Sequence, residues 1–252
     1  MATPFAGRAA EYVKHRADYP REAIECVIAR ARLDGRQVVA DLGAGTGLLT
    51  RHLLENARLV YAVEPAEDMR AAAEESLGSS ARFRSVAGTA EETGLEDASI
   101  DVIACGNAFH YFDPARARKE ADRILRANGR VVLLFHDWPA APKGFTESYL
   151  SFLQSATPAH LASAHSPEEH EQRVAKFFAA RDVAQDAGEQ EERLSWDAIE
   201  GRFLSSSIAP ERGDARYEST LRELRDLFVR HSHRGAVTLA LRWRCVSATW
   251  TR

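Results

Sequence analysis

Two carboxylates and three glycines carry the strongest chemical signal in this chain. Asp41 closes the apolar run Val38-Val39-Ala40, and the turn Leu42-Gly43-Ala44-Gly45-Thr46-Gly47 follows at once. Glu64 closes a second apolar run, Leu59-Val60-Tyr61-Ala62-Val63. Glycine tolerates positive φ and lacks a Cβ, so Gly43, Gly45 and Gly47 let another molecule lie directly against the backbone. The pattern predicts that the turn opens a helix from Thr46, whose first N–H groups face the same space. The spacing is Gly-x-Gly-x-Gly rather than Gly-x-Gly-x-x-Gly, so the dinucleotide fingerprint is not met. A carboxylate at Asp41 suits a ligand with an amino group and would repel a pyrophosphate. Glu64, ending a strand, is placed to accept both hydroxyls of a ribose. Met69 follows where it can lie against an adenine face. Either Glu91 or the backbone of Thr89 and Ala90 meets the adenine amino group. Amino-acid end, ribose and adenine together describe S-adenosylmethionine. Each residue also has a plainer role: the glycines as a tight turn, Asp41 as a helix cap, Met69 and Phe109 as core.

A second set of residues stands where an acceptor would sit. His110 lies just past the fourth strand, at the sheet edge where such folds bind ligands, and its ordinary pKa lets it take a proton near neutrality. His136 and Asp137 end the fifth strand in a comparable place. His110 and Asp137 are the candidate catalytic residues. Ser205-Ser206-Ser207 has no activating base in sequence, so a serine nucleophile is not expected, and Ser206 is read as a substrate contact. His160, His165, His170, His231 and His233 have no metal-ligand spacing and are read as solvated. Cys26, Cys105 and Cys245 are widely separated and odd in number, which fits packing rather than a disulfide framework or a metal site.

Alternating strands and helices must position these groups. Residues 4–32 read as helical, interrupted at Tyr19-Pro20, with a second helix over about 21–31. Strands are predicted at 38–41, 59–64, 82–87, 100–105 and 130–135. Helices are predicted at 46–56, 66–77 and 114–126, the last closed by Gly129 as its C′ residue. Short apolar strands separated by helices indicate a parallel sheet covered on both faces, an α/β doubly wound, Rossmann-like fold. After Pro139 the alternation stops. Residues 140–178 read as an inserted helical cap bearing Tyr149, Phe152, Phe177 and Phe178. An edge strand is expected near 181–194, a helix 196–204 capped by Ser195, a helix 217–231 and a strand 236–248. The whole chain 1–252 reads as one domain, with a core over 33–138 and 180–252 and lid helices over 4–32.

With these residues in view, the chain resembles the class I S-adenosylmethionine-dependent methyltransferases. It is most similar to the small-molecule branch that includes trans-aconitate methyltransferase-like proteins. The matching stretches are Phe5…Ala9…Tyr12…Arg16…Tyr19-Pro20, Asp41 to Gly47, Val63-Glu64-Pro65…Met69, Gly88-Thr89-Ala90-Glu91, Asp101…Asn107-Ala108-Phe109-His110-Tyr111-Phe112 and Glu120…Arg123-Ile124-Leu125…Gly129. A weaker similarity runs through Gly201-Arg202…Leu204 to Pro210 and Gly235…Val237. The resemblance implies a seven-stranded sheet whose last strand is antiparallel. It implies that Ala44, Pro65, Asn107 and Ala108 line the cofactor site. It also implies that Tyr12 and Arg16 close over the cofactor, the guanidinium pairing with the methionine carboxylate. Tyr19, Tyr111 and Tyr149 would line the substrate side. The chain departs from the family with Ala17 in Arg16-Ala17-Asp18-Tyr19-Pro20 where proline is common, with Tyr111 where tryptophan is common, and with Ala127-Asn128 before Gly129.

Composition narrows the partners. The chain of 252 residues has a formal charge of −4 and 45% hydrophobic residues. A pI near 6.2 argues against nucleic acid or an anionic membrane as partner. No apolar run approaches the roughly 20 residues of a membrane span, and the start lacks a secretory h-region, so a cytoplasmic setting is expected. The expected activity is in-line methyl transfer to a small molecule, leaving S-adenosylhomocysteine. The same cofactor also allows intramolecular attack by its amino group, giving a ring amino acid and methylthioadenosine. A non-catalytic cofactor-binding protein and a nicotinamide oxidoreductase complete the alternatives, the last disfavoured by the glycine spacing.

Overall fold

The fold is described from a computed structural model, over residues 18–157, 167–179, 181–206 and 208–251. Its frame is a seven-stranded sheet in the order β3-β2-β1-β4-β5-β7-β6. The strands are β1 (Val38–Leu42), β2 (Leu59–Val63), β3 (Phe83–Val86), β4 (Ile100–Gly106), β5 (Leu125–Asp137), β6 (Val183–Leu194) and β7 (Val237–Trp250). β1 to β5 are parallel; β7 runs antiparallel to β5, and β6 antiparallel to β7. Every residue of β1 is buried, Asp41 included, as expected of a central strand covered on both faces.

Helices cover the two faces. α1 (Arg21–Ala31) and α2 (Thr50–Asn56) pack one side, burying Ala23, Val27, Leu53 and Trp243 against Val39, Val102 and Leu134. α3 (Glu67–Leu77) lies beside β3. α4 (Pro114–Ile124) covers the other face, started by Asp113, whose side chain accepts from the N–H groups of Ala115 and Arg116. α5 (Phe145–Ala156), α6 (Pro167–Phe178), α7 (Trp196–Leu204) and α8 (Tyr217–His231) follow. As expected, Ser195 caps α7, its hydroxyl accepting from Ala198 N–H.

Packing divides the chain differently from the expected cap over 140–178. α6 joins the sheet's own core: Val174, Phe177 and Phe178 pack with Phe109, Val246 and Trp250. α5 instead shares a cluster with α7, α8 and the first half of β7, built on Phe145, Phe152, Phe203, Leu224 and Leu239. Two further boundaries are corrected. The helix after the glycine turn begins at Thr50, not Thr46, because Gly43, Gly45 and Gly47 all have positive φ. Gly129 is not a helix C′ residue: α4 ends at Ile124, and Gly129 pairs with Trp250 inside β5, while Asn128 takes the left-handed conformation (φ 61°). Among the described residues, no helix is long and apolar enough to cross a membrane.

Candidate functional site

The site is built at the carboxyl ends of β1, β2, β4 and β5. At the end of β1, Asp41 is fully buried and its Oδ2 accepts the Thr50 hydroxyl at 2.6 Å. That bond closes the base of the glycine turn. Asp41 Oδ1 has no hydrogen-bond partner among the described residues. Burial pushes the carboxyl up to about 7; the Thr50 hydroxyl opposes this and nearby Glu64 adds to it.

Each glycine of the turn has its own reason. A Cβ on Gly43 (φ 68°) would stand 2.5 Å from the Ala108 Cβ, so the turn lies directly on the loop after β4. A Cβ on Gly47 would stand 2.5 Å from Leu77, against which the turn packs α3. At Gly45 (φ 57°) the space is open, with nothing within 4 Å of a Cβ. Of the three, only Gly45 leaves its outer side to a ligand. Ala44 is buried and its N–H donates to Val63 C=O at 3.1 Å.

Glu64 ties the two strand ends together. Its Oε2 accepts Gly45 N–H at 3.0 Å and its Oε1 accepts Ala66 N–H at 2.9 Å. A carboxylate offers about four lone-pair sites, so acceptor capacity remains on both oxygens. Burial raises the Glu64 pKa, opposed by these two N–H groups and by Arg70. Arg70 in turn donates to the carbonyls of Glu64 and Pro65 at 2.9 and 2.8 Å. Sequence reasoning missed Arg70 and Thr50, although Thr50 nine residues after Asp41 is a findable signal. Met69 is buried on α3. Thr89 and Glu92 exchange backbone hydrogen bonds around a tight turn, which leaves Thr89 exposed and Ala90 buried. The Glu91 carboxylate accepts Asp113 N–H at 2.6 Å, so it supports the start of α4.

The ends of β4 and β5 are joined by Asn107, a non-glycine residue held at φ 55°. Its Oδ1 accepts the backbone N–H of His136 at 2.6 Å, so its amide nitrogen faces the other way. That nitrogen lies 3.3 Å from the Tyr19 hydroxyl and 3.2 Å from His136 Nδ1. An amide NH2 only donates, so Nδ1 accepts and the network assigns the proton of the neutral imidazole to Nε2. The Tyr19 ring packs on His136 with centroids 5.0 Å apart. Tyr19, Asn107 and His136 thus form one polar cluster joining the segment before α1 to the ends of β4 and β5.

The remaining candidates lie in varied settings. His110 and Tyr111 sit on a 3-10 turn (Phe109–Tyr111) with ring centroids 4.0 Å apart, and Tyr111 is exposed. Phe109 is a core residue, ringed by Phe112, Phe135 and Phe177. Asp137 accepts from Arg244 Nε at 2.7 Å, and buried Arg244 also pairs with Glu171 at 2.8 Å. The Asp137 carboxylate is thus already engaged in an ion pair. Tyr149 is 2% exposed and stacks on Phe145 and Phe152, so it serves the core of α5 rather than an open acceptor space. Ser206 donates to Phe203 C=O at 2.6 Å, finishing the end of α7. Tyr12 and Arg16 lie outside the described residues. His170, expected to be solvated, is half-buried on α6, edge-on to Phe135 with centroids 4.5 Å apart. Burial, with Arg244 nearby, holds its pKa below the ordinary histidine value. Among the described residues, no group of His, Cys, Asp and Glu side chains could hold a metal ion.

Comparison with known proteins places this geometry. Residues 40–133 match the model of a methyltransferase domain family. An uncharacterized methyltransferase of Mycobacterium tuberculosis is 39% identical over 140 residues, covering 54% of this chain and 53% of the relative. An uncharacterized methyltransferase of Schizosaccharomyces pombe is 31% identical over 131 residues, half of each chain. The chain spans about half the length of the curated relatives it matches. The YcgJ protein of Bacillus subtilis superposes with a TM-score of 0.59 at 20% identity, over 92% of this chain and 100% of that one. A Haemonchus contortus phosphoethanolamine N-methyltransferase, solved with phosphomonomethylethanolamine and S-adenosylhomocysteine, superposes with a TM-score of 0.57 at 14% identity, over 97% of this chain and 57% of that one. Residues 40–133 thus resemble a methyltransferase domain, and the seven-stranded sheet that holds them has the fold of solved methyltransferases.

Proposed function

We propose that the protein binds S-adenosylmethionine at the glycine turn and transfers its methyl group to a small-molecule acceptor held above β4 and β5. The observation that carries this reading is the open side of Gly45 beside the Glu64 carboxylate. The residues present fit the cofactor: Gly45 leaves backbone room, Glu64 keeps acceptor capacity for a ribose, and Asp41 Oδ1 is a buried acceptor without a donor. When bound, S-adenosylmethionine supplies a methyl carbon already activated by a sulfonium.

The chain's own residues have three tasks. Glu64 and Gly45 fix the ribose end, and Asp41 sets the charge beneath the turn. Asn107 locks the imidazole of His136 and the ring of Tyr19 in one arrangement, so the acceptor meets a fixed wall. Orientation of this kind is the main lever open to an enzyme whose electrophile needs no further activation. His110, on the loop after β4, is the candidate base for an acceptor that must lose a proton. The S-adenosylhomocysteine-bound structural neighbour supports the cofactor class, and the small-molecule acceptor rests on the formal charge of −4 and on the resemblance described above.

Calorimetry with S-adenosylhomocysteine tests the site. Glu64→Gln, which keeps shape and one acceptor, is expected to bind at least about tenfold more weakly, the worth of a charge-assisted hydrogen bond. Unchanged affinity would remove Glu64 from the site. Methyl-labelled cofactor with a metabolite extract then reads transfer. Methylthioadenosine formed from cofactor alone would replace methyl transfer with the cyclisation reading.

A further inference from the structure

The amino-terminal edge of the sheet, opposite the site above, has its own charged cleft. Two cavities of about 310 Å³ each meet there and share Arg32 and Arg130 as lining residues. The first also takes in Arg36, Asp101 and Arg126, and the second takes in Arg30 and Asp182. Most nearby carboxylates are already engaged. Asp101 accepts from Val38 N–H at 2.7 Å and from Arg126 at 2.7 Å. Asp186 takes both forks of Arg30, at 2.6 and 2.9 Å. Asp182 also lines the second cavity. Among the described residues, neither Arg32 nor Arg130 has an ion pair.

The Arg130 guanidinium is held in place, and exposed Arg32 stands beside it at the end of α1. Arg130 is half-buried and its Nη1 donates to Arg30 C=O at 3.2 Å, which fixes the group without neutralising it. Its pKa is lowered by burial and by the charge of Arg32, so the two cations sense each other. Arg32 occupies the left-handed cap of α1 (φ 53°, ψ 47°), a position that glycine fills without steric cost. The helix C-terminus favours one cation, which accounts for Arg32 in part but not for a second beside it.

We propose that Arg32 and Arg130 form the centre of a second ligand site, for a small polyphosphate anion. Guanidinium forks match phosphate oxygens in pairs, and a linear chain of phosphates suits two adjoining cavities with shared cations between them. The formal charge of −4 for the whole chain opposes a long polynucleotide, whose backbone would extend past this edge. Such a site lies at the opposite strand ends from Asp41 and Glu64, and it is independent of the cofactor reading.

The test uses the full chain with inorganic triphosphate, ATP and orthophosphate, read by calorimetry and thermal shift. Wild type is expected to bind triphosphate more tightly than orthophosphate and to weaken as salt rises. Arg32→Gly relieves the left-handed arginine, so its melting temperature should equal or exceed that of wild type while triphosphate affinity falls at least about tenfold. Arg130→Gln should show the same loss with wild-type circular dichroism. ATP binding more tightly than triphosphate would identify a nucleotide tail; equal affinities would identify the bare phosphate chain. The proposal fails if wild type gives no binding at millimolar triphosphate, or if both variants bind as wild type does.

Discussion

Replacing Asp41 by asparagine should change how stability depends on pH more than it changes stability itself. The carboxyl is fully buried, and its pKa stands at about 7 against an ordinary 3.8. A folded-state pKa above the unfolded value means that the folded state holds the proton more tightly. Stability from this group is therefore complete below about pH 4 and is lost as pH rises through about 7. At 1.36 kcal/mol per unit, a shift of this size corresponds to about 4 kcal/mol, an upper figure because the interior relaxes around a charge. The asparagine side chain would keep the shape and an acceptor for the Thr50 hydroxyl but does not titrate. Urea unfolding followed by tryptophan fluorescence, for both proteins from pH 4.5 to 7.5, isolates the group. Wild type should lose roughly 2–4 kcal/mol relative to Asp41→Asn across that range. A constant difference between the two proteins would refute the assigned burial penalty. The proposed cofactor adds a second sign: its ammonium beside Asp41 would favour the carboxylate, so binding near pH 6.5 should release protons, visible as a buffer-dependent binding enthalpy.

Three further outcomes follow from the geometry. Gly43→Ala forces a Cβ against Ala108 at positive φ and should cost about 3 kcal/mol, with partial recovery in Gly43→Ala/Ala108→Gly; Gly45→Ala meets nothing and should cost only about 1 kcal/mol while still weakening S-adenosylhomocysteine binding. Asn107→Gly relieves the backbone at φ 55° but leaves the His136 N–H without its acceptor, for a net loss of about 1–2 kcal/mol. Nitrogen NMR of His136 should then lose the single Nε2–H tautomer, and an unchanged spectrum would refute the Asn107 assignment. Arg244→Met strips Asp137 of its partner and should cost about 2 kcal/mol or more by denaturation, with part of this regained in Arg244→Met/Asp137→Leu; equal stability would remove the ion pair as a structural element.

What can be read from the chain depends on whether a signal is local. α1 and α8 match their expected bounds because each shows an uninterrupted 3.6-residue pattern with clear ends, Pro20 before Arg21 and Ser232 after His231. Asp41, the glycines and Glu64 are legible for the same reason: type and position along a strand suffice to place them. Gly129 misleads because Ala127-Asn128-Gly129 resembles a helix end, whereas pairing with β7 along Gly129–Asp137 keeps that stretch in the sheet. The Tyr19, Asn107 and His136 cluster joins residues 88 and 29 positions apart, so no local pattern announces it. His170 shows nothing in sequence of the Phe135 ring it meets. Segment 140–178 reads as one cap because its helices are contiguous in sequence, yet apolar faces sort by partner, sending α6 to the sheet and α5 to α7 and α8.

The strand order also sets a sequence of events during synthesis. β6 pairs with β7 along its whole length and with no other named strand, yet β7 is made after it, beyond α7 and α8. Until β7 emerges, the outer edge of β5 is open and β6 has no place in the sheet. Both are then unpaired strand edges, the kind of surface on which nascent chains pair with one another. The cluster formed by α5, α7 and α8 includes Val237, Leu239 and Leu241 of β7 itself. Completion of that cluster and closure of both edges therefore wait on the same late strand.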